Sequence, residues 1–393
     1  MNKIVYTILS PIIVLALIVS CSSGRSSEPL NNTDNNWSKN SDGWSVEGYN
    51  TGRTRSTSAV ITPPLQLQSE YKIGGDTQFG SPVVISGDML YSEGERKLHA
   101  LALADGAERW QINLAGAFLS PTVVQDQLFV RAESGDKGYL YALSSDDGAK
   151  LWEFKFPAVG SAYDNVGGHV TSPVMMEGLV LVGAARTLLA LNAQDGSPVW
   201  AYEADRPLVS SAAVVGDAVY IADFTHVYAL DLHSGARRWQ FEDEAVTLYF
   251  APIATSEQVL VTSYDTVFAL EAQSGDVRWS RRFDDVEIIP AAASAELVFV
   301  KSANVLYALH AESGADAWRY STLNYVSLPA LTAQQMFVIT RQDGGSQLRS
   351  LNLADGQENW HSHNGSFSNA APVIAGDLVY VRTVDGRVQA FGE

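Results

Sequence analysis

Short runs of alternating or continuous apolar residues, separated by glycine-containing turns, fill most of the chain from residue 66 onward. One example reads SPVVISGDMLYSEG (81–94) and is followed closely by LHALALADGAERW (98–110). Short apolar runs bounded by Asp-Gly or Ser-Gly are typical of β-strands joined by tight hairpins. The pattern therefore predicts an all-β chain built from four-stranded antiparallel units.

One unit recurs with strict spacing: Leu, three residues, Asp or Ser, Gly, three residues and Trp. Successive glycines are 42, 48, 39, 40, 39 and 42 residues apart, and a period near 40 with strand signals is typical of β-propeller blades. We expect the Ala before each Leu to leave room for the indole of a neighbouring blade. The repeat pairs are Gly106 and Trp110, Gly148 and Trp152, Gly196 and Trp200, Gly235 and Trp239, Gly275 and Trp279, Gly314 and Trp318, and Gly356 and Trp360.

The strand count predicts an eight-bladed β-propeller closed by an N-terminal strand. Seven Trp-bearing outer strands follow the inner hairpins, and a truncated eighth copy, VQAF, starts at Val388. The missing outer strand is expected from LQSEYKI (67–73), paired with the C-terminal RVQAF, because closure removes exposed sheet edges. Residues 66–393 then provide 41 residues per blade, and seven blades is the competing count.

The N-terminus combines one charge, Lys3, with an apolar run from Ile4 to Val19. This pattern is typical of a secretory signal, and a retained membrane anchor is the alternative. The stretch IVSC (18–21) resembles the bacterial lipobox, which implies acylation of Cys21 and cleavage before it. A buried free thiol or a catalytic thiol are the other interpretations of Cys21, and a single cysteine excludes an intramolecular disulfide.

These signals divide the chain into three parts. Residues 1–20 are predicted to be a lipoprotein signal peptide, residues 21–65 the lipidated Cys21 with a flexible tether and a lead-in segment, and residues 66–393 the propeller. The formal charge of −18 disfavours binding to nucleic acid and to anionic lipid. Membrane attachment would therefore come from acyl chains, and a monomeric propeller is expected.

The repeat copies resemble the PQQ-like β-propeller family, whose signature is Ala-Leu-Asp, two residues and Gly, with Trp four residues further on. The stretch WSVEGYNTGRTRST (44–57) is similar to the segment that often precedes the first blade in this family. The signature Asp survives only as Asp231. The blade-linking hydrogen bond that the family assigns to this Asp is therefore not expected in most copies.

The resemblance implies two functional branches. Quinoprotein dehydrogenases bind PQQ and Ca²⁺ over the central channel and typically carry adjacent cysteines, which this chain lacks. Non-catalytic lipoproteins similar to the outer-membrane assembly factor BamB use the ring to bind proteins. The lipobox, the eight blades and the length favour the second branch.

The sequence thus predicts a non-enzymatic, lipid-anchored scaffold that binds protein partners in the cell envelope, without a cofactor. It would face the periplasm from an outer membrane or lie on the surface of a cell with one membrane. A PQQ-dependent dehydrogenase or cofactor binder and a cell-surface glycan-binding propeller are the alternatives.

Catalytic and metal-binding motifs are weak. His361 and His363 alternate along one strand, a spacing that can place two ligands on one face, but no third ligand is evident. No GxGxxG, P-loop or GxSxG motif occurs. The sequence therefore predicts no reaction class.

Candidate partner-binding residues lie in loops. In an antiparallel meander, the blade-to-blade links and the loops from second to third strand lie on one face of the ring (the link face), and the Asp-Gly turns lie on the other (the turn face). Aromatic and acidic residues in loops on a rigid scaffold suit recognition, although Tyr249, Phe250 and Tyr325 could instead belong to the core. The candidates are Tyr163, Asp164, His169, Phe224, His226, Tyr249, Phe250, Tyr264, Asp265 and Tyr325.

Overall fold

The computed structural model describes residues 43–393 apart from 74–81, 96, 115–116, 119, 158–171, 209–210, 244–249, 285–287, 303, 323 and 343. Regular secondary structure in these residues is entirely β-strand. None of it forms a helix long and apolar enough to cross a bilayer. The predicted signal peptide, Cys21 and tether lie outside the described residues.

The described strands form eight antiparallel sheets, one for each blade. Blades 1 to 4 contain β2 (Val84–Ser86), β3 (Met89–Gly94), β4 (Lys97–Ala102) and β5 (Glu108–Asn113); β6 (Ala117–Phe118), β7 (Thr122–Val124), β8 (Gln127–Ser134), β9 (Lys137–Ser144) and β10 (Lys150–Pro157); β11 (Val174–Met176), β12 (Leu179–Ala184), β13 (Thr187–Asn192) and β14 (Pro198–Glu203); and β15 (Ala213–Val215), β16 (Ala218–Ala222), β17 (His226–Asp231) and β18 (Arg237–Glu242).

Blades 5 to 8 follow the same order from inside to outside. They contain β19 (Ile253–Ala254), β20 (Gln258–Thr262), β21 (Thr266–Glu271) and β22 (Val277–Arg282); β23 (Ile289–Ala293), β24 (Leu297–Ser302), β25 (Val305–His310) and β26 (Asp316–Ser321); β27 (Tyr325–Val326), β28 (Ala330–Leu331), β29 (Gln335–Gln342), β30 (Gly345–Asn352) and β31 (Glu358–His361); and β32 (Val373–Ala375), β33 (Leu378–Arg382), β34 (Arg387–Gly392) and β1 (Gln66–Lys72).

The sheets surround one axis. The innermost strands of successive blades contact each other, from β2 and β7 through β11, β15 and β19 to β23, and again from β28 to β32. Buried apolar clusters fill the spaces between neighbouring blades, for example between blades 3 and 4 and between blades 5 and 6. The predicted eight-bladed propeller is confirmed.

The ring closes through the N-terminal strand. β1 pairs antiparallel with β34, from Gln66 opposite Gly392 to Lys72 opposite Arg387. The Glu70 carboxylate accepts hydrogen bonds from Arg387 at 2.5 Å and from the Gln389 side chain at 2.8 Å. The predicted closing strand is confirmed.

The repeat tryptophans join neighbouring blades. At six junctions the indole N–H donates to a carbonyl oxygen at the end of the third strand of the next blade, at 2.8–3.0 Å. These pairs are Trp110 and Ser145, Trp152 and Ala193, Trp200 and Leu232, Trp239 and Ala272, Trp279 and Ala311, and Trp318 and Leu353. Each bond satisfies one indole N–H group and one carbonyl oxygen that would otherwise lack a hydrogen-bond partner at the junction.

Two expectations about this junction are corrected. The neighbouring indole packs on the turn glycine and not on the alanine: a Cβ added at Gly314 would lie 2.4 Å from the Trp279 ring, whereas Ala308 lies opposite Trp318 of its own blade. Among the described residues, Asp231 makes its hydrogen bonds within its own blade, where it accepts from the Ser234 N–H at 2.9 Å and from Arg238 at 2.7 Å.

The lead-in segment lies inside the ring. We call residues 43–57 the hub segment, because its carbonyl oxygens accept backbone hydrogen bonds of 2.7–3.0 Å from the innermost strands of blades 1, 2, 4, 5, 6 and 7 in chain order. The acceptor and donor pairs are Trp44 and Ile85, Ser45 and Val123, Thr51 and Val214, Gly52 and Ala254, Thr54 and Ala293, and Arg55 and Leu331. The hub segment thus makes one circuit of the axis and pairs inner strand edges that would otherwise be open.

Candidate functional site

The link face carries the described loop candidates, and most of them are partly buried. Phe224 packs against the apolar cluster between blades 4 and 5, and Phe250 is also partly buried. Tyr264, in contrast, is 42% exposed. Tyr163, Asp164, His169 and Tyr249 lie outside the described residues.

Asp265 and His226 make local contacts at the starts of third strands. The Asp265 carboxylate accepts from Arg282 Nε at 2.7 Å and from the Thr266 hydroxyl at 2.8 Å. The His226 ring is mostly buried, with Nδ1 2.9 Å from the Thr225 hydroxyl and 3.4 Å from an Asp223 oxygen. These contacts fix the shape of the two loops.

Tyr325 lies in a shielded position between blades 6 and 7. Its hydroxyl donates to the Asn369 carbonyl oxygen at 3.3 Å, and Lys301 Nζ lies 5.0 Å from the ring centroid. Burial raises the pKa of Tyr325 and lowers the pKa of Lys301. A cation over an aromatic face in this setting stabilises the junction of the two blades.

Sequence reasoning missed two further buried cations near the link face. Arg131, Lys301 and Arg382 occupy equivalent positions near the ends of the second strands of blades 2, 6 and 8. Arg131 is 1% exposed and pairs with Glu133 at 2.5 Å, and burial lowers the pKa of Arg131 and of Arg382. A positive residue just after the apolar core of a second strand was the available signal.

The residue before the repeat Trp is apolar in blades 2 and 3 and charged in the next two blades. Leu151 and Val199 precede the repeat Trp of their blades and are 48% and 49% exposed. At the equivalent positions of blades 4 and 5, Arg238 bonds to Asp231 at 2.7 Å and Arg278 is paired with an acid of its own blade. Comparison of the residue before each repeat Trp would have revealed this asymmetry.

The histidine pair lies at a groove between blades 7 and 8. His361 and His363 are exposed and line a groove of about 440 Å³. His361 Nδ1 lies 2.8 Å from a Glu358 oxygen. In the part of the chain that the structure describes, no three His, Cys, Asp or Glu side chains are grouped to hold a metal ion.

The hub segment places charged side chains inside the ring. Arg53 Nη2 donates to Glu47 Oε1 at 3.2 Å, and Arg55 Nη2 lies 3.8 Å from the same oxygen. The Ser172 hydroxyl, just before β11 of blade 3, donates to Glu47 Oε2 at 2.7 Å. Burial alone would raise the pKa of Glu47, but the charges of Arg53 and Arg55 hold it below its usual value.

Comparisons with known proteins agree with this architecture. Three overlapping matches to one family model, described as outer membrane protein assembly factor BamB, cover residues 43–162, 136–283 and 224–393. The BamB protein of Salmonella typhimurium is 25% identical over an alignment of 227 positions, which covers 46% of this chain and 57% of that protein. The chain thus spans little more than half the length of this curated relative.

Solved structures show the same fold at low sequence identity. The crystal structure of BamB from Moraxella catarrhalis is similar with a TM-score of 0.65 and 18% identity, over 84% of this chain and 98% of that one. The quinohemoprotein alcohol dehydrogenase from Comamonas testosteroni is similar with a TM-score of 0.73 and 13% identity, over 90% and 81%. At these identities the likeness shows the fold alone.

Proposed function

We propose that this chain, which belongs to the family of the outer membrane protein assembly factor BamB, is a non-enzymatic scaffold that binds protein partners in the cell envelope. We further propose that residues 1–20 direct export and that an acylated Cys21 holds the propeller at a membrane. Replacement of Cys21 by Ala should then release a folded propeller into the soluble fraction. A variant that stays with the membrane would contradict the lipid anchor.

The rigidity of the ring supports a scaffolding role. Indole hydrogen bonds join the blades, β1 closes the ring, and the hub segment ties six inner strands together. A surface on such a frame loses little conformational entropy on binding, which favours affinity. Loops and rims of a stable scaffold are therefore suitable docking sites.

One observation carries the proposal to a particular surface: the exposed apolar pair Leu151 and Val199 on the rims of adjacent blades. Large aliphatic side chains that are half exposed gain by burial against a partner, roughly 25 cal/mol per Å² of apolar surface. At the equivalent positions, the rims of blades 4 and 5 carry the ion-paired Arg238 and Arg278. We therefore place a partner on the rim of blades 2 and 3.

Site-specific photo-cross-linking tests this surface. A photoreactive phenylalanine derivative is placed at Leu151 and Val199, and at Val277 in blade 5 as the matched control, because Val277 is similarly exposed at 47%. Irradiation of intact cells should give adducts with an envelope protein at the first two positions and not at the third. Identical adducts at all three positions, or none, would count against the rim of blades 2 and 3.

The dehydrogenase-like solved structures define a second candidate, a PQQ-dependent enzyme. The buried Arg131, Lys301 and Arg382 near the link face carry charge of the sign that a carboxylate-bearing cofactor requires. Among the described residues, however, no three His, Cys, Asp or Glu side chains are grouped to hold the accompanying Ca²⁺. Addition of PQQ and Ca²⁺ to the purified chain, followed by cofactor absorbance and dye reduction, tests this candidate; saturable binding with turnover would replace the scaffold proposal.

A further inference from the structure

Two buried guanidinium groups lie together inside the ring. Arg53 and Arg55 are 8% and 5% exposed and belong to the hub segment, which contacts innermost strands on nearly all sides of the axis. Both approach one carboxylate, that of Glu47. The cluster of these three side chains therefore carries one positive charge in excess.

The hydrogen bonds within the cluster leave the two arginines incompletely satisfied. Glu47 uses one oxygen for Arg53 and the other for the Ser172 hydroxyl. The Arg55 Nη2 to Glu47 distance of 3.8 Å is too long for a hydrogen bond. Nη1 of Arg53 and Nη1 of Arg55 are both buried without a hydrogen-bond partner among the described residues.

Such groups are costly unless something satisfies them. A buried charged donor without a partner loses its hydration and gains nothing in return, a penalty of several kcal/mol for an ion in a protein interior. A guanidinium cannot avoid the penalty by deprotonation at neutral pH: burial lowers the pKa of Arg55 only to about 10. The charge therefore stays inside the ring and requires an acceptor.

The backbone holds both arginines in place. Arg53 and Arg55 have positive φ angles of 63° and 55°, a conformation that non-glycine residues rarely adopt and that costs energy. The Arg53 N–H donates to the Asn50 carbonyl oxygen at 2.9 Å, and the Arg55 N–H donates to the Gly48 carbonyl oxygen at 2.9 Å. The backbone from which the two side chains project is thus fixed by hydrogen bonds within the hub segment.

We propose that Arg53 and Arg55 bind a small oxyanion, a carboxylate or a phosphate, at the axis of the propeller. The planar guanidinium group of an arginine presents paired N–H donors that match the oxygens of these anions. The ammonium group of a lysine lacks this paired geometry. The excess positive charge of the cluster supplies the attraction, and the free Nη1 atoms supply the donors. This site is independent of the protein-binding rim and of the membrane anchor.

Titration of the purified full-length chain in detergent tests the site, with sodium acetate and inorganic phosphate as separate probes at constant ionic strength and pH. We expect saturable heat of binding for at least one probe, together with a rise in the thermal midpoint. Arg55→Gln should weaken binding about tenfold or more, the loss expected from one charged hydrogen-bonding partner. Arg109→Gln is the control, because Arg109 is half exposed and pairs with Asp105 on the surface, and its affinity should equal that of the wild type.

Each result decides the question. No saturable response of the wild type to either probe up to about 10 mM, the millimolar range of weak specific binding, would overturn the proposal. Equal responses of the wild type and Arg55→Gln would also overturn it. If Arg55→Gln fails to fold, Arg53→Gln takes its place. The titrations of the wild type and of Arg109→Gln test the site in either case. Preference for acetate or for phosphate identifies the class of anion.

Discussion

The indole N–H of Trp279 donates a 2.8 Å hydrogen bond to the carbonyl oxygen of Ala311 in the next blade, and its ring covers Gly314 of that blade. The described strands of neighbouring blades do not pair with each other, so side-chain contacts such as this one and the apolar cluster around it join the two blades. The junction from blade 8 to blade 1 has no repeat Trp. There the Tyr71 hydroxyl donates to the Leu103 carbonyl oxygen at 3.1 Å.

Trp279→Phe should destabilise the propeller, because it leaves the buried Ala311 carbonyl oxygen without a donor. We expect the loss to exceed that of Trp360→Phe by about 1–3 kcal/mol, the penalty for a buried unsatisfied polar group. Trp360 is the matched control, since its indole makes no blade-linking hydrogen bond within the described residues and packs edge-on against Phe391. Urea unfolding of the two variants measures the difference, and equal midpoints would contradict the importance of the hydrogen bond.

Gly314→Ala should be more harmful than Gly87→Ala. Both glycines have positive φ, 67° and 58°, so both variants carry the cost of a left-handed alanine, about 1 kcal/mol. Only at Gly314 would the new Cβ collide with an indole ring, since Gly87 has open space around it. The free energy of unfolding of Gly314→Ala should therefore be lower than that of Gly87→Ala by roughly 1–3 kcal/mol, the cost of overpacking. Thermal unfolding measures the difference, and similar midpoints for the two variants would show that the indole ring moves away freely.

The sequence was sufficient for the blades and insufficient for the hub segment. Period-two strands and the strict Gly-to-Trp spacing are local signals, and β1 could be found because the ring lacked one outer strand. The hub segment shows neither the alternation of a strand nor the Gly-to-Trp spacing. Its conformation depends on partners far along the chain, such as the bond from the Val214 N–H to the Thr51 carbonyl oxygen, which no local pattern reveals.

The residues of the candidate surface also fall into two groups, those that the sequence could predict and those that it could not. Leu151 and Val199 could have been recognised, because their positions are fixed relative to the repeat Trp. The burial of Phe224 and Tyr325 could not, since it depends on how the links of neighbouring blades cover them. Loop aromatics without a repeat position give no periodicity from which exposure can be judged.

Tyr71→Phe should loosen the closure of the ring. The change removes the hydroxyl that donates to the Leu103 carbonyl oxygen and leaves that oxygen unpaired, at a cost of about 1 kcal/mol. Hydrogen exchange should become faster in β1 and β34 and stay unchanged in β21, on the far side of the ring. Tyr264→Phe is the control, because that side chain is exposed. Unchanged exchange in β1 would mean that backbone pairing alone closes the ring.

Glu47→Gln should destabilise the chain in a pH-dependent way. The pKa of Glu47 is held below its usual value by Arg53 and Arg55 against the effect of burial, so its charge stabilises the folded state above the unfolded pKa, about 4.3. That contribution is lost as the pH falls through the folded value. At pH 7 we expect the free energy of unfolding to fall by about 3–5 kcal/mol, typical of one partner removed from a buried ion pair. The difference in stability from the wild type should narrow below about pH 4.

Glu296→Gln, at an exposed turn, is the control and should have the stability of the wild type at every pH. Thermal midpoints of the three proteins measured from pH 7 to pH 3 decide the matter, and a gap for Glu47→Gln that stays constant over this range would show that the Glu47 charge does not stabilise the hub segment.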